Sequence, residues 1–202
     1  NRPTLFVINQ IDHPETNFDD AFNSIKNSLV GNNAVKIQYP LVVDGAQCIV
    51  DVLKMKMYKF GPEGGKPEKL EIPDDQKDLA NELHNELVEK AAENDESLME
   101  IFFENDTLTE DEMRRGIQAG LIERGIFPVF CTAAKKNVGV DRVMEFVNNA
   151  APAAADMPAW KTEDGNEVLC DASAPTRVFV FKSSIEEHIG EINYFRVAYS
   201  TV

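Results

Sequence analysis

The sequence contains no long apolar run and only three cysteines. No segment approaches the roughly 18 to 20 consecutive apolar residues of a membrane-spanning helix, and the first residues lack the basic flank and cleavage pattern of a secretory signal. Cys48, Cys131 and Cys170 lie far apart and form no C-x-x-C pair, which argues against a zinc site or a disulfide framework. These absences predict a cytoplasmic protein that has no membrane contact and binds no metal through these residues.

Basic residues are also scarce. Lys and Arg number 20 against 35 Asp and Glu, which gives a formal net charge of −15. Such a surface repels phosphate backbones, so any contact with RNA must be local. The excess is large between Glu71 and Glu112, where sixteen acidic residues accompany only Lys77 and Lys90. This acidic segment is either a solvated helical face or a surface for a basic protein partner.

Two apolar runs stand out in a chain of 202 residues that is 43% hydrophobic, enough for a sizeable core. Residues 3–8 and 126–131 are typical of strands buried on both faces of a parallel sheet. The first run leads into residues 9–12 (N-Q-I-D) and the second into residues 132–135 (T-A-A-K). Because ligands bind beyond the carboxyl ends of such strands, we expect these two stretches to meet in one site.

The residue types in the two stretches suit a guanine base. An ionised Asp12 can accept hydrogen bonds from guanine N1–H and from its exocyclic amino group, whereas adenine has neither donor at those positions. Asn9 is predicted to brace the loop, and the Ala134 N–H to donate to the guanine carbonyl oxygen. The alternative that the residues leave open is an ordinary Asn- and Asp-rich turn or helix cap.

Periodicity predicts the elements between these stretches. Apolar residues from Phe18 to Leu29 predict a helix, residues 35–43 a single strand, and residues 53–60 an antiparallel strand with one wet face. The glycine-rich segment 61–67 is predicted to be a hairpin loop, because it lacks the spacing of a phosphate loop. Further elements are predicted in this order: helices over residues 74–94, around 98–102, after a capping box at Thr109 and from Val140, a linker over 151–174, and strands at 178–181 and 192–197.

Taken in order, these motifs resemble those of bacterial elongation factor G. They are N-x-x-D at 9–12, segments 51–56, 83–85, 91–93 and 98–100, the L-T-E-D-E stretch at 108–112 and the small-residue loop within 131–140. The tail around Gly190 is similar to the opening strands of that family's second domain. The resemblance covers essentially the whole chain, and the long segment between the two loops separates this family from most other translational GTPases.

The resemblance implies an α/β fold. It consists of half of a P-loop GTPase domain, a parallel sheet with flanking helices, which carries an α+β insert and is followed by the first strands of a β-barrel. The implied boundaries are residues 1–34 and 121–150 for the GTPase half, 35–120 for the insert, 151–174 for the linker and 175–202 for the barrel. The phosphate loop, both switches and the catalytic histidine are expected before residue 1, so no catalytic residue is assigned in this chain.

The resemblance also implies cofactor and partners. The residues expected to meet GTP or GDP are Asn9, Gln10, Asp12, Ala133, Ala134 and Lys135, with Mg²⁺ expected only together with the preceding half. The expected partner is the ribosome, reached through its stalk protein by the acidic insert and through ribosomal RNA by the barrel. The whole protein is expected to be a monomeric GTPase that moves tRNA and mRNA through the ribosome.

Two positions depart from the family pattern. Gln10 replaces a lysine that packs over the nucleotide, and Ala133 replaces a serine that helps to hold the aspartate. These departures put nucleotide affinity in question and leave base identity readable. Two alternatives therefore remain open: a divergent paralogue that acts mainly by docking on the ribosome, and a ribosomal protection factor, against which the long insert argues.

Overall fold

The computed structural model describes residues 2–171 and 173–199. Two compact units divide the chain, the first ending at Ala151 and the second beginning at Pro152. The elements of the first unit are β1 (Phe6–Asn9), α1 (Phe18–Ile25), β2 (Ala34–Lys36), β3 (Gln38–Val43), β4 (Ala46–Asp51), β5 (Lys56–Lys59), β6 (Glu68–Leu70), α2 (Lys77–Ala92), α3 (Glu96–Asn105), α4 (Glu110–Glu123), β7 (Phe127–Thr132) and α5 (Val140–Ala150).

A parallel sheet in the order β1-β7-β2 organises the first unit. Its central strand β7 is buried at every residue. One face packs on α1, where Val129 and Phe22 share a cluster, and the other packs on α5, where the Phe130 and Phe146 rings lie 4.9 Å apart edge to face. The predicted α/β fold, a parallel sheet between helices, is therefore confirmed.

Strand β1 is less buried than its sequence predicted. Phe6 and Ile8 pack toward the α1 side, but Val7 on the other face is 43% exposed. In the part of the chain that the structure describes, β1 pairs only with β7. The prediction of burial on both faces is thus wrong for β1 and right for β7. A continuous apolar run does not reveal which faces of a strand are packed against other elements.

The single strand predicted over residues 35–43 is two strands in two sheets. The break falls at Ile37, whose N–H donates to Val129 O of β7 at 3.0 Å while its carbonyl accepts from Val52 N–H at 2.9 Å. Before Ile37 the chain pairs in parallel with β7, and after it β3 pairs antiparallel with β4. Residues 35 and 36, assigned from sequence to the insert, therefore pair with the parallel sheet.

The second sheet is antiparallel, in the order β3-β4-β5-β6. The strand predicted over residues 53–60 is shorter than expected: β5 starts at Lys56, after a turn in which Met55 has φ +49°. Its central residues Met57 and Tyr58 are both buried, so the prediction of one wet face is wrong. The predicted hairpin loop is confirmed, because β5 and β6 pair antiparallel across it.

Helices α2, α3 and α4 complete the region between the two loops. The predicted capping box opens α4, with Thr109 N–H donating to Glu112 Oε2 at 2.8 Å and Glu112 N–H to Thr109 Oγ1 at 3.3 Å. A Cβ on Gly116 of α4 would lie 2.3 Å from the Ala91 carbonyl oxygen of α2, so the two helices are in close contact there. Leu29, predicted to lie on the apolar stripe of α1, falls in the π-helical turn Lys26–Val30 that continues this helix, and it is 66% exposed.

Two antiparallel pairs form in the described part of the second unit. A short one forms within the segment predicted as a linker, and a long hairpin follows it; the strands are β8 (Trp160–Lys161), β9 (Glu167–Val168), β10 (Arg177–Glu186) and β11 (Gly190–Tyr199). The two strands predicted at 178–181 and 192–197 lie within β10 and β11. Phe179 and Phe181 of β10 are more than half exposed, so the hairpin leaves apolar surface uncovered.

Candidate nucleotide-binding site

Asn9 joins the ends of the two parallel strands. Its Oδ1 accepts hydrogen bonds from Thr132 Oγ1 at 3.1 Å and from Ala134 N–H at 3.0 Å. Thr132 is buried, and a backbone bond from Ile11 N–H to Thr132 O at 3.2 Å lies beside this contact. The structure therefore brings together the two stretches that the sequence placed in one site. In the same structure the Ala134 amide, which was predicted to donate to guanine, donates instead to a protein acceptor, Asn9 Oδ1.

Gln10 begins a tight loop after β1. Its φ of +66° lies in the left-handed region, which is uncommon for residues other than glycine. The Gln10 carbonyl accepts from His13 N–H at 3.0 Å and from the Thr16 hydroxyl at 2.8 Å, and these bonds fix the loop. Gln10 is exposed at the strand end.

Asp12 forms an ion pair with Lys136, whose Nζ lies 2.9 Å from Asp12 Oδ2. The hydrogen bond from Lys136 lowers the pKa of the Asp12 carboxyl below its usual value, so Asp12 is ionised throughout the neutral range. The Asp12 side chain is 28% exposed and can be reached by a ligand. Lys136 was missed by the sequence reasoning, although two adjacent lysines directly after a small-residue stretch are conspicuous in so acidic a chain.

Residues 133–138 form a closed turn after β7. Ala133 and Val138 exchange two backbone hydrogen bonds, of 3.0 and 3.2 Å, and Lys136 N–H donates to Ala133 O at 3.0 Å. Ala133 is buried, whereas Ala134 and Lys135 are exposed on the outer side of the turn. The turn thus presents backbone and a lysine side chain to solvent beside Asn9, while its base is fixed to the sheet.

A groove of about 440 Å³ lies against Asp12 and Lys136. Its other walls come from the β3–β4 turn, including Asp44 and Gly45, and from Phe60 at the end of β5. The antiparallel sheet therefore reaches the candidate site and shapes the space next to the Asp12 carboxylate.

A separate cavity of about 30 Å³ lies beside Asp51 and is large enough for one water molecule. Asp51 accepts from Lys54 N–H at 3.0 Å, and burial raises the pKa of its carboxyl. Glu145 pairs with both Lys54 and Arg142 at the cavity wall. Neither loop of the candidate site contributes to this cavity, so the cluster lies apart from that site.

His84 makes a contact between two elements of the first unit. His84 Nδ1 lies 2.9 Å from Val52 O, a contact that ties α2 to the turn after β4. Within residues 2–171 and 173–199, no group of three His, Cys, Asp or Glu side chains is placed to hold a metal ion. Over the same residues, no helix has the length and apolar character needed to cross a membrane.

The chain is similar in sequence to proteins of one family. No family model matches the chain. Over 98% of its length it is 32% identical to elongation factor G of Thermotoga neapolitana, over 96% it is 36% identical to that of Mycoplasma pneumoniae, and over 98% it is 31% identical to that of Thermotoga petrophila. The chain is homologous to a segment of elongation factor G. It spans 29% of the length of these curated relatives.

A solved structure shares the fold of this chain. A crystal structure of a protein from Thermus thermophilus matches 98% of this chain and 27% of its own, with a TM-score of 0.73 and 19% identity. At that identity the likeness supports the fold alone. Gln10 and Ala133 are the chain neighbours of Asn9 and Ala134, whose hydrogen bond joins the two loops.

Proposed function

We propose that this chain carries the base-recognition part of a guanine nucleotide site. The observation on which the proposal rests is the contact between the two strand ends, in which Asn9 Oδ1 holds Thr132 and the Ala134 amide at 3.1 and 3.0 Å. Asp12 follows Asn9 in the same loop and is ionised. Its carboxylate can accept from guanine N1–H and the amino group together, which adenine cannot offer.

Guanine has to enter a site whose polar groups already have protein partners. Lys136 occupies one oxygen of Asp12, and each carboxylate oxygen has a second lone pair available. When the Ala134 N–H donates to the guanine carbonyl oxygen, it either divides its hydrogen bond between that oxygen and Asn9 Oδ1 or breaks its bond to Asn9. Gln10 and Lys135, exposed on the two loops, flank the base in this proposal, and Ala133 supports the turn from beneath.

The longer protein is proposed to be an elongation factor of the elongation factor G type, a cytoplasmic GTPase that acts as a monomer. It binds GTP or GDP, with Mg²⁺ held by segments outside this chain, and couples hydrolysis to ribosomal translocation of tRNA and mRNA. In this proposal residues 1–34 and 121–150 belong to the GTPase domain and 35–120 to an insert. A linker over 151–174 then leads to the β-barrel start at 175–202.

The two remaining surfaces are assigned to the ribosome in the same proposal. The acidic helices α2 to α4 suit a basic protein surface such as that of the ribosomal stalk protein. The exposed apolar side chains of β10 and β11 fit strands that are covered by the rest of a barrel, which would then contact ribosomal RNA.

A second candidate function is docking on the ribosome with a weakened nucleotide site. It is favoured by the neutral Gln10, by Ala133, which has no hydroxyl, and by the protein partners that Asp12 and Ala134 already have. Both candidate functions assume the same fold and the ribosome as partner, and they differ in the affinity expected for guanine nucleotides.

The test is calorimetry of the full-length protein with GDP, GTP and xanthosine diphosphate. Asp12→Asn exchanges an acceptor for a donor, so guanine nucleotides should bind more weakly and xanthosine diphosphate more tightly. Asp20→Asn, at an exposed carboxylate in the first turn of α1, is the matched control and should change neither. Undetectable binding of GDP by the parent protein would favour the docking candidate, and an Asp12→Asn variant that keeps its guanine preference would refute the base-reading role.

A further inference from the structure

The loop between β5 and β6, residues 60–67, lies directly on the turn formed by residues 133–138. Gly64, with φ +69°, is so close to this turn that a Cβ on it would lie 1.6 Å from the Lys136 carbonyl oxygen and 2.8 Å from the carbonyl carbon. The next amide, Gly65 N–H, donates to Asn137 O at 3.3 Å. The contact is between two backbones, so neither side can make room by rotating a side chain.

Lys136 and Asn137 belong to the same closed turn that supplies the base-recognition contacts. The turn is held by the two bonds between Ala133 and Val138, and Asn137 N–H donates to Ala134 O at 3.0 Å. A displacement of the Lys136 backbone therefore reaches Ala134, whose amide lies on Asn9. The same displacement also moves the Cα atom of Lys136, whose side chain pairs with Asp12.

We propose that Gly64 is a positioning residue for guanine binding: through the Lys136 backbone, the β5–β6 loop sets the place of the Ala134 amide and of the Asp12–Lys136 pair. This inference rests on the proposed function, and it adds that a loop of the antiparallel sheet controls the affinity of the site through its backbone contact with Lys136. Glycine is required at residue 64 both for its positive φ and for the close approach. Any other residue must push the 133–138 turn away.

The loop contains its own matched control. Gly65 has φ +84°, and a Cβ added to it would have no atom within 4 Å, so Gly65→Ala introduces left-handed strain without a collision. Gly64→Ala combines the strain with the contact on Lys136, so the two variants separate the two effects.

The experiment measures GDP and GTP affinity of the full-length protein and of these two variants by calorimetry, with circular dichroism to check folding. Gly64→Ala should weaken the binding of both nucleotides by about tenfold or more, while the affinities of Gly65→Ala stay within about twofold of the parent's. Equal losses in Gly64→Ala and Gly65→Ala would overturn the proposal, because strain in the loop would then explain them. So would an unchanged Gly64→Ala.

Two further measurements keep the proposal testable if Gly64→Ala does not fold or if the parent protein binds no guanine nucleotide. In the unaltered protein, GDP should slow hydrogen exchange of the Gly65 amide, because coupling between two sites is reciprocal. Without nucleotide, nuclear magnetic resonance should show a raised Asp12 pKa and faster exchange of the Ala134 amide in Gly64→Ala and not in Gly65→Ala. Failure of GDP binding alone refutes the proposed function. The positioning role is refuted if a folded Gly64→Ala variant keeps the parent's Asp12 pKa and Ala134 amide exchange rate. It is also refuted if bound GDP leaves the exchange of the Gly65 amide unchanged.

Discussion

Replacing Asn9 by alanine removes both hydrogen bonds that join the β1 and β7 loops. Thr132 is only 3% exposed, so its hydroxyl would be left without its Asn9 acceptor in a place that water reaches poorly. That loss costs about 1–3 kcal/mol of unfolding free energy. Ala134 is exposed, so its amide can bond to water, and its share is nearer 0.5–1 kcal/mol. We therefore expect Asn9→Ala to destabilise the first unit by about 2 kcal/mol in all.

Thr132→Val separates the two bonds, because it removes the hydroxyl and keeps the shape of the side chain. Asn9 is exposed and can hydrate in this variant, so the cost should be about 1 kcal/mol. In the double variant the buried hydroxyl no longer exists, and the total should fall short of the sum of the single effects by about 1 kcal/mol. The Ala134 bond survives in Thr132→Val, so guanine nucleotide binding should suffer less there than in Asn9→Ala.

The assay is urea denaturation of the chain followed by far-ultraviolet circular dichroism. Tryptophan fluorescence is unsuitable, because the single tryptophan, Trp160, lies in the second unit. A double-mutant cycle in which the two effects add within about 0.3–0.5 kcal/mol would refute the reasoning. It would mean that the Asn9–Thr132 hydrogen bond contributes nothing beyond what water supplies.

Gln10→Lys in the full-length protein should tighten GDP and GTP roughly ten- to a hundredfold with unchanged preference over ATP, as measured by calorimetry; equal affinity of the parent would end the idea of a weakened site. Burial raises the folded-state pKa of Asp51, so its stabilising contribution is full below the ordinary aspartate pKa and is lost as pH rises through the raised pKa; the melting temperature of Asp51→Asn should therefore rise relative to the parent's from about pH 4 upward. Stalk-protein binding by the acidic insert should weaken as salt rises, and a salt-insensitive titration would contradict its electrostatic origin.

The sequence alone determined the elements whose causes are local. The capping box at Thr109 needs only residues three positions apart, and the buried strand β7 follows from a continuous apolar run. The pairing of the two polar stretches was also predictable, because parallel strands place their carboxyl ends at one edge of a sheet. These features depend on near neighbours or on a general rule of sheet topology, so they can be read without coordinates.

The tertiary structure alone decided where one sheet ends and the next begins, and what surrounds the site. Ile37 divides a uniform apolar stretch, because its N–H finds β7 and its carbonyl finds the residue after β4. Lys136 pairs with Asp12, and Gly64 lies on the Lys136 carbonyl, although these residues are far apart in the chain. No periodicity encodes such contacts, since each depends on how two separately formed loops come to lie against each other when the two sheets pack.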